Sequence, residues 1–209
     1  MNRNNEWDIV PAFSYPITTT FIEEEYSNQL IEKISDFEFG DTVSSYSNNG
    51  DSFKSLISDS LNVLDEFPNL KKKLLNKITS YVSEVLEFDV NISISTSWFT
   101  KILPGGYCQY HKHSNSWLSA VYYFDEYDSN SGQLIFCNQK SFFQIQVIED
   151  NIFNMDKLYA TPKKNSLIIF PSELQHRVSK NNTNRTRYSL AFNILPLGLI
   201  GEFDNQLFL

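Results

Sequence analysis

Cysteine is nearly absent from this 209-residue sequence: Cys108 and Cys137 are the two present, with no CxxC spacing. A disulfide framework is therefore excluded, and free thiols in a reducing compartment are expected. No apolar run approaches the length needed to span a bilayer, and no apolar h-region follows the opening "MNRNNEWDIV". A soluble, cytoplasmic protein is predicted. Positive charge is also short, with 17 Lys and Arg against 25 Asp and Glu and a net charge of −8. That balance argues against a nucleic-acid backbone or an anionic membrane as a general partner. The one basic cluster, Lys71–Lys73 in "NLKKKLLNK", lies among apolar residues at helical spacing and reads as a solvated helix face. With no internal repeat and no low-complexity linker, the chain is expected to form a single domain, 1–209.

What is present divides by hydrophobic period. In "TTTFIEEEYSNQLIEKISDF", Ile22, Tyr26, Leu30 and Ile34 recur every four residues, and Thr20 with Glu23 has capping-box spacing. In "DSFKSLISDSLNVL", Phe53, Leu56, Ile57, Leu61 and Leu64 predict a second helix. A third is predicted from Pro68, with Leu70, Leu74, Ile78, Val82 and Val85 on its stripe. From about Asp89 the period becomes two, beginning with "VNISISTSWF". Strand-like runs follow at 107–113, 117–124, 132–137, 142–148, 165–170 and 186–195, punctuated by "PGG", "SNSG" and "KNNTN". Successive short strands without intervening helices predict an antiparallel sandwich or barrel. The expected layout is an N-terminal helical layer over 1–88, a β core over 89–197 and a tail over 198–209.

Histidine is as scarce as cysteine: His111, His113 and His176 are the only three. In a strand, residues i and i+2 share a face, so His111 and His113 would point together while Cys108, Tyr110 and Lys112 point away. Such a pair can supply adjacent ligands to a metal, or two hydrogen-bonded structural histidines. His176 follows a buried-strand run, "SLIIF", as a third ligand candidate. In "RYSLAFNIL" the alternation is clean: Arg187, Ser189, Ala191 and Asn193 on one face, Tyr188, Leu190 and Phe192 on the other. A guanidinium held on one face of an apolar strand either reaches solvent at the strand end or binds an anion, which a carboxylate does bidentately.

These elements together resemble the 2-oxoglutarate- and Fe(II)-dependent oxygenase superfamily, near its prolyl-hydroxylase-like branch. "HKH" (111–113) stands where the family has H-x-D/E, "LQHRV" supplies the distal His176, and "RYS" supplies Arg187 and Ser189. "SAVYYFD" resembles the branch's Y-Y-L strand and places Tyr123 at the co-substrate tyrosine. "SGQLIF" and "TPKKNSLIIFPSELQH" resemble its G-G-x-L strand and the segment before the distal histidine. The match runs from about Trp98 to Asn193. "FSYPITTT" also looks like the opening of a bacterial and phage group of such oxygenases, in which H-x-H and "LSGVYY" occur; here the latter reads "LSAVYY".

The resemblance implies a mainly β fold, a double-stranded β-helix (a jelly-roll or cupin-like barrel) supported by N-terminal helices. It implies Fe(II) on His111, His113 and His176, and 2-oxoglutarate as co-substrate, its distal carboxylate on Arg187 with Ser189 and Tyr123. O₂ and an unidentified prime substrate would be the reaction partners, with hydroxylation and decarboxylation of 2-oxoglutarate to succinate as the outcome. The departure is His113 in place of the carboxylate of the usual two-histidine, one-carboxylate set. His113 as a second-layer residue, a metal other than iron, a three-histidine cupin-type dioxygenase without 2-oxoglutarate, and an inactive metal-binding β-barrel module stay open as alternatives. The long segment 138–160 reads as a lid or as a further hairpin.

Overall fold

The computed structural model describes residues 14–41, 53–138 and 145–209. In chain order its elements are β1 (Thr18–Phe21), α1 (Glu24–Lys33), β2 (Phe39–Asp41), β3 (Ser55–Ser58), α2 (Pro68–Ser80), β4 (Asn91–Ile102), β5 (Cys108–His111) and β6 (Leu118–Tyr123). Then follow β7 (Leu134–Cys137), β8 (Lys157–Ala160), β9 (Ser166–Pro171), β10 (His176–Val178), β11 (Arg187–Leu197), β12 (Leu199–Ile200) and β13 (Leu207–Phe208). A large sheet has the order β1-β9-β6-β11-β4-β3-β2, and a small one has β5-β10-β7-β8. Among the described residues, the strand pairs within them are antiparallel. The architecture is the mainly β double-stranded β-helix that the motifs implied. Among the described residues, no helix is long and apolar enough to cross a membrane.

The large sheet is buried on both faces, which explains why β9 reads as the unbroken apolar run "SLIIFP" rather than as an alternation. Its outer face carries Tyr122, Leu167, Ile169, Leu190, Phe192 and Ile194, packed with Leu30 of α1 and Leu70, Leu74 and Ile78 of α2. Its inner face turns Ile102, Tyr123, Ile168 and Phe170 toward Leu134, Phe136 and Val178 of the small sheet. Burying one such Leu or Phe stabilises the fold by about 1.5–3 kcal/mol, so the outer layer is the larger contributor. The Ser27 hydroxyl pins α1 to the sheet at the Tyr122 hydroxyl, 2.7 Å away.

The N-terminal region differs from its expected form in three respects. The helix expected over 53–64 is instead β3 followed by a 3₁₀ turn, Val63–Glu66. β3 pairs with β4, Ser55 against Ile102 and Ile57 against Thr100, so sheet pairing overrides the helical spacing. Thr20 caps nothing: it lies in β1, opposite Leu167, and Glu23 is the α1 N-cap without a side-chain cap bond. The third helix begins at Pro68 as expected, where the missing N–H costs nothing. A π-helical turn, Tyr81–Val85, then widens it and takes Val85 off the stripe, leaving it 65% exposed. Of the strand expected over 142–148, residues 142–144 lie outside the described residues, and 145–148 form no strand.

Candidate metal centre

β5, β10 and the turn after β5 bring the three histidines together. His111 pairs with His176, and Val178 pairs with Cys108, so three steps along β5 match two along β10. This bulge corrects the simple alternation: Cys108 lies on the same side as His111, its Sγ 3.7 Å from the imidazole Nδ1. Burial pushes the Cys108 thiol up to about 11, which makes it a packed neutral group. β5 ends at His111, and His113 is placed by its own backbone N–H, which donates to the Ser172 carbonyl at 3.0 Å. The ring centroids stand 4.3 Å apart for His111 and His176, 5.1 Å for His113 and His176, and 5.3 Å for His111 and His113. One nitrogen of each lies within 4.8 Å of the others.

Each ring has an oxygen at Nδ1. For His111 it is the Gln109 carbonyl at 2.9 Å, and for His176 the Leu174 carbonyl at 2.9 Å. For His113 it is Asn193 Oδ1 at 2.6 Å, with Ser119 Oγ at 2.9 Å. A neutral imidazole has one N–H and one lone pair. Carbonyl acceptors at Nδ1 therefore leave Nε2 as the ligand atom, the arrangement that metal-binding histidines require. Burial, the largest influence, lowers the pKa of all three rings, helped at His176 by the neighbouring histidines; His176 is pushed down to about 3. Three neutral imidazoles converging without a proton between them fit a divalent ion. Among the described residues no carboxylate joins the cluster, and Asp125 instead accepts from the Glu126 N–H.

The second half of the site lies on the same inner face. Arg187 and Ser189 are each 3% exposed, and their closest approach is a long 3.5 Å from Nη1 to Oγ. Among the described residues, Arg187 Nε and Nη2 have no hydrogen-bond partner, nor has the Tyr123 hydroxyl. The guanidinium carbon sits 5.4 Å from the Tyr123 ring centre and 5.6 Å from that of Tyr127. Tyr127 is fixed there by its O–H, which donates to the Tyr188 carbonyl. Burial raises the pKa of both phenols against the opposing charge of Arg187, so both stay protonated. Aromatic faces offset a cation by ~1–2 kcal/mol, well short of the cost of burying it unpaired. A guanidinium buried in this way is able to receive an anion. The Cys108 thiol touches His111 and also feels the Arg187 charge, so the two halves adjoin.

Comparison with known proteins agrees with this geometry. Residues 96–193 match the family described as "Putative 2OG-Fe(II) oxygenase". Over that stretch the chain is similar to 2-oxoglutarate- and Fe(II)-dependent oxygenases. The oxygenase fold also recurs in solved structures of low identity. A Pseudomonas putida prolyl-4-hydroxylase is 15% identical with a TM-score of 0.55, over 86% of this chain and 93% of that one. HygX from Streptomyces hygroscopicus, solved with nickel and 2-oxoglutarate, is 10% identical with a TM-score of 0.61, over 86% and 82%. A Trichoplax adhaerens prolyl hydroxylase, in complex with a hypoxia-inducible-factor peptide, is 14% identical with a TM-score of 0.60, over 86% and 82%. No curated relative matches the sequence.

Sequence reasoning had singled out His111, His113, His176, Arg187, Ser189 and Tyr123, and the fold brings them into one interior. It missed Tyr127, Ser119 and Ser172, and it gave Asn193 no role. Asn193 carried a usable signal, its place on the Arg187 face of β11. Trp98 lies on β4 with its ring centre 5.6 Å from that of His113. Phe99 and Trp117 do pack: Phe99 is fully buried, and Trp117 meets Phe88.

Proposed function

We propose that this oxygenase holds Fe(II) on His111, His113 and His176 and takes 2-oxoglutarate as co-substrate. We further propose that it hydroxylates a C–H bond of a separate substrate while 2-oxoglutarate is decarboxylated to succinate. When bound, iron with 2-oxoglutarate and O₂ supplies the oxidising power; the chain binds, orients and excludes water. Arg187 receives the distal carboxylate through the Nε and Nη2 edge that has no partner, and the Tyr123 hydroxyl donates to the same group. Ser189 steadies the guanidinium. Trp98 walls the metal beside His113. With three neutral ligands the ion keeps one more positive charge than a carboxylate set would leave it, which favours a dianionic co-substrate.

The observation that carries this reading is the buried Arg187 guanidinium, which has no counter-charge among the described residues and adjoins three metal-ready imidazoles. A three-histidine dioxygenase that uses no 2-oxoglutarate, or an inactive metal-binding barrel, gives such an arginine no purpose. The test is to add Fe(II) anaerobically to metal-free protein, titrate 2-oxoglutarate and follow the visible charge-transfer band of the chelated keto acid. One equivalent should saturate the band, His111→Ala should abolish it, and Arg187→Ala should weaken it. Iron binding without a band would overturn the 2-oxoglutarate assignment, and absence of metal binding would overturn the metal centre.

A further inference from the structure

The three histidines are held in two different ways. His111 and His176 each rest Nδ1 on a carbonyl two residues back in their own backbone, Gln109 and Leu174. Almost any sequence supplies those acceptors. His113 has no local carbonyl in that role. Its Nδ1 meets a side chain 80 positions away, Asn193 Oδ1 at 2.6 Å. Its tautomer and ring orientation therefore depend on which residue stands at 193, with Ser119 Oγ 2.9 Å from the same nitrogen as a weaker, two-way partner.

We propose that Asn193 is the positioning residue that makes a histidine workable at the third ligand position: it fixes His113 as the Nδ1–H tautomer and aims Nε2 at the ion. The inference rests on reading the histidine cluster as a metal centre. An amide can present oxygen or nitrogen, and here Oδ1 is the atom that faces His113. Asn193 Nδ2 donates to Thr96 Oγ1 at 3.1 Å, and the Ser119 hydroxyl donates to Asn193 Oδ1 at 3.0 Å. Both hydroxyls accommodate that orientation, and the tautomer of His113 tests it. Ser119 Oγ also lies 2.8 Å from Ser172 Oγ, whose single proton goes either to it or to Ser116 Oγ at 2.9 Å; Ser116 in turn donates to the Leu118 carbonyl. Ser172 additionally accepts the backbone N–H of His113. The ring and its main chain are thus tied to one hydrogen-bonded group.

Sheet register puts this group in place. Asn193 on β11 pairs with Thr96 on β4 and with Ser119 on β6, a polar row across three strands of the inner face. Arg187 and Ser189 occupy the same face of β11 toward its other end. One strand thus delivers the anion pocket and the support for the third ligand. A neutral amide at 193 orients His113 without adding charge, so the excess charge of the three-histidine set is retained.

The test has two readouts and two variants, Asn193→Ala and the near-isosteric Asn193→Asp. With three histidines in the chain, the long-range proton–nitrogen NMR spectrum of the metal-free protein at neutral pH assigns each tautomer separately. His113 should carry its proton on Nδ1 in the parent, lose that preference in Asn193→Ala and keep it in Asn193→Asp. Calorimetric titration with Co(II) should show about 10- to 100-fold weaker binding for Asn193→Ala and recovery in Asn193→Asp. If His113 is protonated on Nε2 in the parent, or if Asn193→Ala binds Co(II) as tightly as the parent, this proposal alone is overturned. A parent protein that binds no Co(II) overturns the metal reading and this proposal with it. Should Asn193→Ala fail to fold, the parent tautomer and Asn193→Asp still decide the matter.

Discussion

The two faces of β11 differ in kind although they share one backbone. Outward, Leu190, Phe192 and Ile194 are fully buried against the helices. Inward, Arg187, Ser189 and Asn193 project into the barrel, and Arg187 still has two nitrogens without partners. The outer face is complete as it stands and stabilises the fold. The inner face is complete only when something is bound, so it is held in place by the outer one. The contrast teaches where to look for function: at the positions where burial and hydrogen bonding disagree.

The largest effects should come from breaking the inner face at the metal. His176→Ala is expected to abolish ion binding, more than about 100-fold in Co(II) affinity, while the metal-free protein keeps its urea midpoint to within a small shift. On the outer face the effect should reverse. Phe192→Ala should cost about 3–5 kcal/mol in urea unfolding of the metal-free protein. Molecules that remain folded should bind Co(II) as before. Arg187→Met sharpens the comparison further. Removing a buried charge that has no partner should raise the stability of the metal-free protein by about 1–3 kcal/mol, while 2-oxoglutarate binding is lost. No outer-face substitution should show that pairing of signs.

A further effect is on pH. The folded-state pKa of His176 is about 3 against an ordinary 6.5, and those of His111 and His113 are also lowered. Below about 6.5 the unfolded chain takes up protons that the folded chain refuses. Stability from these groups is therefore whole above that value and declines as pH falls toward about 3. Urea midpoints of the metal-free protein should fall across that window, and His176→Gln should flatten the slope.

The outer face was legible in sequence because burial there follows period strictly, as in "RYSLAFNIL" and the α2 stripe. The site residues were legible as types at spacings, with the family resemblance assigning their roles. What escaped depended on partners distant in the chain. Phe53, Leu56, Ile57, Leu61 and Leu64 mimic a helix by spacing alone, although only Leu56 and Ile57 lie in β3 and Leu61 is exposed. Only the pairing of β3 with β4 decides between helix and strand. The bulge that turns Cys108 toward His111 arises from the match with β10, which no local pattern encodes. The support of His113 by Asn193 and Ser119 likewise requires the register of three strands.

The most direct test of the unequal faces is calorimetric unfolding with Mn(II), with 2-oxoglutarate, and with both. Ligands that bind only the folded state raise its stability by mass action. The account predicts that 2-oxoglutarate raises the melting temperature chiefly when Mn(II) is present, and that Arg187→Met removes this increment but keeps the one from Mn(II). A parent protein indifferent to 2-oxoglutarate, or an equal increment in Arg187→Met, would contradict it.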